Sequence, residues 1–559
     1  MLYLEKVNKT LLKQNYNLKI SYQIYAFVYL LSFFLYQTNL IKQGGTTWDD
    51  LMLLKTSPRI IEKFQLYFLD SSNPFLSEFS SNFEFYGYLV LIPAYLFSKN
   101  NYILNVFSDF FQIYSINSLD LEYMLRHIFL NIYVVISLYI SFRLYSKISN
   151  QIKGLLFIIL ITLVPLFSGH SLFNLKDIPF LFQNLFVVLV LLDYLKNFEK
   201  VDKFSLVKIG TFCGLLLLIR LNGIAFIFIY FLFSFLYLNK TIYIIRKNFI
   251  NWFYIFTISI LLLFLGTPSA WQKPKYWIEE TIATQFNIYW DSYVLINGNF
   301  FFAMDINRTY LFISSIYKMP LIFSLSMILG FYLFVKNHKK ALKNFEIIFI
   351  FSLFFIIFIH LSFIILKPVA YDGIRQYLFL IPFYCALTIE SIALIKLSAL
   401  KNIGITFLIA LYLVLTQYGL GPYKYVYLNE FASEEQITID CEKIGGCGDW
   451  QTDYWGYSGK KLVKNLNSSN INGQIYFCTP KHVFSSYLNN KNLNIVRDIE
   501  SLKNKNIYIA YIHRPMLIND TCGINNLNIK LECDNVFTET TSLRGTEVSL
   551  SYVDLCSIN

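Results

Sequence analysis

Five short stretches of this 559-residue chain carry residue types from which group-transfer chemistry can be built. Adjacent carboxylates stand at Asp49 and Asp50 in TTWDDLML, and a Lys176–Asp177 step lies within GHSLFNLKDIPF. Arg220 sits in IRLNGI, Arg126 and His127 in LRHIF, and Tyr371, Asp372 and Arg375 in YDGIRQYLF. A carboxylate within hydrogen-bond reach of a hydroxyl can take its proton. Ammonium and guanidinium groups can hold a phosphate through charge-assisted hydrogen bonds, arginine in a two-pronged grip. Lys176, Arg220, Lys367 and Arg375 are the cations available for that task. Each residue also has a plainer use. Lysines and arginines at span ends snorkel to headgroups, and paired aspartates favour a helix N-terminus. Arg126–His127 can anchor an interface, and Asp372 with Arg375 can be a local ion pair. A functional role requires that they share one face.

The elements that would position them are membrane helices. Hydrophobic residues make up 55% of the chain and charged residues only 15%, against about 25% charged in a soluble domain. With 55 Phe and 42 Tyr the chain is too apolar for disorder. Its net charge of +11 is spread out with no basic block, which argues against a nucleic-acid partner. A bilayer core of about 30 Å needs about 20 apolar residues per helix. Runs near 20–40, 124–144, 153–169, 178–195, 206–220, 222–238, 249–267, 311–335, 346–366, 375–396 and 400–418 meet or approach that length. Lys and Arg concentrate in alternate connections, which puts residues 1–19 in the cytoplasm and the C-terminal part outside. Residues 85–98 are apolar but short, with Pro93 in the middle, and are read as an interfacial or re-entrant helix within a large external loop, 41–123. The fold expected is therefore an α-helical polytopic membrane domain over 20–418, with about eleven transmembrane helices, followed by a small external α/β domain over 419–559.

In that last domain, strands are expected at 474–478 and 506–512, with a further pair around 535–540 and 546–553 joined at Arg544-Gly545, and a helix around 458–467. Six of the eight cysteines fall here: Cys441, Cys447, Cys478, Cys522, Cys533 and Cys556. An even number in an external domain suggests up to three disulfides, and the Cys441/Cys447 and Cys522/Cys533 spacings do not match a short zinc motif.

The charged residues gather at the expected external ends of the spans. Carboxylates at mid-membrane and internal repeats, which an ion-coupled transporter would carry, are absent from the sequence pattern. A polar crevice at one membrane face suits a substrate that is half lipid and half water-soluble. No G-x-G-x-x-G or G-x-x-x-x-G-K-[ST] motif for a nucleotide is present.

The acidic pair after the first span resembles that of the GT-C glycosyltransferases, and FNLKDIPF is similar to the N-x-K-D-I-P-F segment of bacterial members related to glycosyltransferase family 39. That family includes the dolichyl-phosphate-mannose–protein mannosyltransferases, and the aminoarabinose transferases acting on lipid A are relatives. The order YGYLVLIPAYLF, LRHIF, IRLNGI, TPSAWQKP, YVLINGNFF, YDGIRQYLFLIP, YKYVYLNEF and TDYWGYS is similar as well, over residues from about 45 to 460. The resemblance implies a GT-C-like fold in the inner membrane of a bacterium and a polyprenyl-phosphate monosaccharide donor bound at the external, periplasmic face. It implies inverting transfer to a protein, lipid A-like or glycan acceptor. It puts Asp49 in the place of the base and Asp177 at the second acidic position, with Lys176 beside it near the donor phosphate. Asp50 stands where Glu is more common, which leaves its acceptor or metal contact open. Arg375 takes the place of a common arginine, followed by Gln376 where His is frequent. Arg220 joins the phosphate ligands, and Tyr371, Asp372, Arg126 and His127 are further substrate-binding candidates. The sequence shows no close metal-ligand set; some relatives use a divalent metal, and no cofactor is assigned. Two other readings share this architecture: an accessory protein that binds lipid-linked saccharides, and a lipid or saccharide transporter without transferase activity.

Overall fold

The computed structural model describes residues 2–78, 84, 88–100, 102–103, 105–106, 118–238, 241–286, 293–336, 345–395, 398–437, 449–497, 506–513, 522 and 531–558. The apolar runs form helices, as a chain in lipid must when its backbone polar groups have no water to bond. In chain order they are α1 (Leu2–Gln43), α2 (Asp50–Leu69), α3 (Tyr88–Lys99), α4 (Ser118–Ile148), α5 (Gln151–Leu163), α6 (Pro165–His170), α7 (Asp177–Lys196), α8 (Lys203–Ile219), α9 (Gly223–Tyr237), α10 (Ile242–Leu265) and α11 (Pro274–Phe286). After a hairpin of β1 (Tyr293–Ile296) and β2 (Asn299–Phe302) come α12 (Tyr310–Lys318), α13 (Leu321–Lys336), α14 (Ile347–Leu366), a tight 3-10 turn over Arg375–Leu380, α15 (Ile381–Leu394) and α16 (Ala399–Thr416).

The described residues of the eleven apolar runs lie mostly on helix, but the helices are not eleven full spans. Among the described residues six are long and apolar enough to cross a membrane, or seven if the bent pair α12–α13 counts as one. The difference arises at breaks that hydropathy does not register. Pro165 lacks an amide hydrogen, so α5 stops at Leu163 and a separate short helix follows. Arg220 and the turn after it part α8 from α9. The chain turns by 116° between α12 and α13. The segment read as interfacial is α3 from Tyr88 onward; residues 85–87 lie outside the described ones.

Burial ranks the helices. Nearly all of α7 is buried and most of α10 is not, so α7 runs through the middle of the bundle and α10 along its rim. Any side chain at the start of α7 is therefore delivered to the centre of one end of the bundle.

The C-terminal part contains α17 (Gly459–Ser468) and a five-stranded mixed sheet of β3 (Gly473–Phe477), β4 (Leu493–Val496), β5 (Asn506–Ile512), β6 (Leu531–Leu543) and β7 (Thr546–Ile558), in the order β4-β3-β5-β7-β6. β3 runs parallel to β4 and β5, and β7 antiparallel to β5 and β6. Arg544 and Gly545, with φ of 54° and 86°, make the two-residue turn of the β6–β7 hairpin. Disulfides join Cys478 to Cys522 and Cys533 to Cys556, the second pair facing each other across β6 and β7. Cys441 and Cys447 lie outside the described residues.

Candidate active site

The turn between α1 and α2 is held from two sides. Asp50 Oδ2 accepts from the Thr47 amide at 2.6 Å and the Thr47 hydroxyl at 2.9 Å, and His127 Nε2 stands 3.2 Å from the same oxygen. Burial pushes the Asp50 carboxyl up, but His127 and these hydrogen bonds outweigh it and hold the group below its ordinary value. Asp50 thus shapes the turn through Thr47 and ties it to α4 through His127. From the other side the C-terminal part grips the same loop. Gly45 N donates to Tyr457 O at 3.0 Å, Trp48 N to Trp455 O at 2.8 Å and Thr46 N to the Tyr487 hydroxyl at 2.9 Å. His482 Nε2 donates to the Thr47 carbonyl at 2.8 Å. The approach is so close at Gly44 that a Cβ there would fall 2.0 Å from the Tyr457 ring.

Held this way, Asp49 points to Lys176, whose Nζ is 2.7 Å from Asp49 Oδ2. Lys176 and Asp177 owe their placement to Asn174, whose Oδ1 accepts from both backbone amides, at 3.2 and 2.9 Å. The Asn174 amide also donates to Asp177 Oδ2 at 2.8 Å. Asp177 opens α7, where the helix N-terminus favours a negative charge. It binds Arg220, and its Oδ2 lies 3.5 Å from Arg375 Nε. Arg375 donates in turn to Asp372 Oδ2 at 2.7 Å and stacks over the rings of Trp455 at 4.6 Å and Tyr371 at 5.2 Å. Asp372 and Gly373, with φ of 59° and 65°, make the left-handed turn that brings the carboxylate back to Arg375.

The structure therefore brings Asp49, Lys176, Asp177, Arg220, Asp372 and Arg375 into one electrostatic cluster, the pair Asp49–Lys176 beside the linked pairs Arg220–Asp177–Arg375–Asp372, with the Tyr371 ring under Arg375. Asp50 and His127 support it from behind. Arg126 lies apart: it donates to Ser98 and Glu122, covers the Tyr95 ring at 5.2 Å, and fastens α3 to α4. Lys367 pairs with Asp305. Among the described residues no group of three or more His, Cys, Asp and Glu is placed to hold a metal ion.

Several residues of the site were not singled out by type. His170 accepts from the Asn174 amide at Nδ1, 3.3 Å, and faces the Tyr454 hydroxyl at Nε2, 3.2 Å, so Nε2 carries its proton. Burial lowers its pKa to about 3 and keeps the ring neutral. Asp453 is buried among the Tyr425 hydroxyl, Ser458 and the Tyr457 amide, which shapes the turn that carries Trp455; burial raises its carboxyl above the ordinary value. Lys318, at the end of α12, is buried beside Gly373. The stretches GHSLFNLKD and TDYWGYS mark the first two by proximity to the other motifs, whereas nothing around Lys318 in sequence does.

No protein-family model matches the chain, and a comparison with curated proteins gives no match. Solved structures similar to it include ArnT from Cupriavidus metallidurans bound to undecaprenyl phosphate, at 10% identity and a TM-score of 0.44, covering 95% of this chain and 97% of that one. The oligosaccharyltransferase of Archaeoglobus fulgidus in its apo form is similar at 11% identity and a TM-score of 0.42, over 86% and 69% of the two chains. Archaeal AglB from Archaeoglobus fulgidus, in complex with an inhibitory peptide and a dolichol-phosphate, is similar at 12% identity and a TM-score of 0.36, over 82% and 64%.

Proposed function

We propose that this chain is a membrane glycosyltransferase that moves a sugar from a polyprenyl-phosphate monosaccharide to an acceptor at the external face of a bacterial inner membrane. The observation that carries the reading is the accessibility of Asp49. Its side chain is 14% exposed against 4% for Asp177 and 1% for Asp50, and it pairs with Lys176 beside the Asp177–Arg220–Arg375 set. Asp49 takes the proton of an acceptor hydroxyl, and the freed oxygen attacks the anomeric carbon from the side opposite the phosphate. The bond from that carbon to the phosphate oxygen breaks, configuration inverts, and the polyprenyl phosphate leaves with the bonding pair. Because the leaving group is an anion, fixed positive charge aimed at it lowers the barrier more than a general acid would. Asp177 keeps Arg220 and Arg375 in position, and Lys176 orients Asp49. The C-terminal part, which holds the Asp49 turn, also selects the acceptor in this reading.

The test is mass spectrometry of glycolipids and glycoproteins from cells carrying wild-type or Asp49→Asn protein. The reading expects one glycan to lose a hexose, pentose or amino-sugar increment. Identical glycans in both cells would reject it.

A further inference from the structure

Every cation assigned to phosphate from the sequence is already committed to a carboxylate. Lys176 is held by Asp49, Arg220 by Asp177, and Arg375 by Asp372 and Asp177. Lys318 adds a fourth cation to the same cluster and has no such partner. It is 4% exposed, and its Nζ makes no hydrogen bond to any described residue. Its Nζ stands 5.7 Å from the centre of the Trp450 ring. Its stem lies along the Asp372–Arg375 turn, where a Cβ on Gly373 would meet Lys318 Cε at 3.7 Å and Cγ at 3.8 Å. His170 is within electrostatic reach of Asp177, Arg375 and Lys318 together. Among the described residues no carboxylate pairs with Lys318, so its Nζ is a buried polar group without an acceptor, a costly arrangement unless something else supplies one.

We infer that Lys318 is the group that receives the phosphate of the polyprenyl-phosphate donor and stabilises it as it leaves. The inference deepens the proposed function and rests on it. A glycosyl phosphodiester carries one negative charge, and an opposite charge beside a buried amine favours its protonated form, so donor and Lys318 complement each other. As the bond to the anomeric carbon breaks, charge on the phosphate oxygens grows toward that of a monoester. Lys318 is the one cation of the cluster that can follow this growth without first giving up a carboxylate, so its attraction is greater in the transition state than in the ground state. Lys176, Arg220 and Arg375 then serve to set the carboxylates and to line the approach.

The experiment uses the full chain purified in detergent, with undecaprenyl phosphate and inorganic phosphate as separate probes. Lys318→Met replaces the ammonium by an apolar side chain of similar length. Without ligand its Tm is expected to rise above that of the wild type, because a buried polar group without a described partner is gone. Its affinity for undecaprenyl phosphate is expected to fall at least tenfold, and Lys318→Arg to recover part of that loss. Inorganic phosphate showing the same dependence on Lys318 locates the effect in the headgroup, whereas dependence seen with the lipid alone shows that the chain must bring the phosphate in. Should the Met variant fail to fold, Lys318→Gln reads the same comparison. Equal undecaprenyl phosphate affinity in wild type and charge-free variants overturns the inference and leaves the proposed function standing. A wild-type protein that binds no undecaprenyl phosphate overturns both.

Discussion

Lys176 and Asp49 meet at 2.7 Å although they belong to turns ahead of two different helices, α7 and α2. The contact joins the two acidic motifs of the sequence into one electrostatic unit. It also gives each residue a distinct dependence on the other. Asp49→Asn keeps the shape of the side chain and removes the proton acceptor. Transfer to acceptor is expected to fall by about 10²- to 10⁴-fold with donor binding retained, as measured by single-turnover assay beside a donor-binding titration.

Asp177 is buried and pairs with the partly buried Arg220, so removing the arginine strands a buried carboxylate. Asp177→Asn or Arg220→Met alone should destabilise the protein by about 3 kcal/mol. The double variant should recover part of that loss. Thermal unfolding of the four proteins in detergent closes the cycle, and simple additivity would mean that the pair is not coupled.

Acid should loosen the site in two stages. His170 stays neutral down to about 3 in the folded protein and takes up a proton near 6.5 when exposed. Between these values the unfolded chain binds more protons, so stability declines as pH falls, by up to about 1.4 kcal/mol per pH unit. Asp50, held below its ordinary value, contributes stability that is present above that value and is lost at lower pH. Unfolding midpoints for His170→Gln between pH 7 and pH 4 should fall less steeply than those of the wild type.

Gly44→Ala tests the grip on the acidic turn from outside the reacting groups. Its Cβ would overlap the Tyr457 ring, which forces the turn or the ring aside. A displacement of about 1 Å at a reacting group can cost about a hundredfold in rate, so transfer should drop far more than the melting temperature. An unchanged rate would mean that the turn adapts without moving Asp49.

The Cys533–Cys556 disulfide closes a loop with a sequence separation of 23 residues. Replacing both cysteines by serine should destabilise the C-terminal sheet by about 3 kcal/mol, seen as an earlier unfolding transition or as faster proteolysis there.

Much of the architecture is legible in the sequence because it depends on local composition. The apolar runs are largely helical, and the strands at 474–478 and 506–512 and the Arg544-Gly545 turn fall within a residue or two of expectation. The hairpin strands expected at 535–540 and 546–553 run further, over Leu531–Leu543 and Thr546–Ile558. The number of complete spans is not legible, since a hydropathy window averages over the Pro165 break and the bend after Lys318. β4 escapes notice because LNIV is short and flanked by asparagines. At the candidate site the types Asp49, Asp177, Lys176 and Arg375 stand out, but their pairing depends on helix packing between distant segments. That packing also separates Arg126, tied to Glu122 and Ser98, from the other cations. Lys318 illustrates the limit: a lysine at a helix end is ordinary in sequence, and only the surrounding fold makes it exceptional.

The hydrogen bonds from residues 455–487 to the turn at 45–48 carry a consequence for biogenesis. These residues lie after every helix of the bundle in chain order, so during synthesis the whole helical assembly can be inserted while the Asp49 turn still lacks its clamp. Because β7 is an interior strand, between β5 and β6, the sheet behind that clamp closes late as well. A ribosome-bound chain would therefore carry all its ionic groups and yet be idle, and a truncation far from Asp49 would silence it as surely as a change at the residue itself.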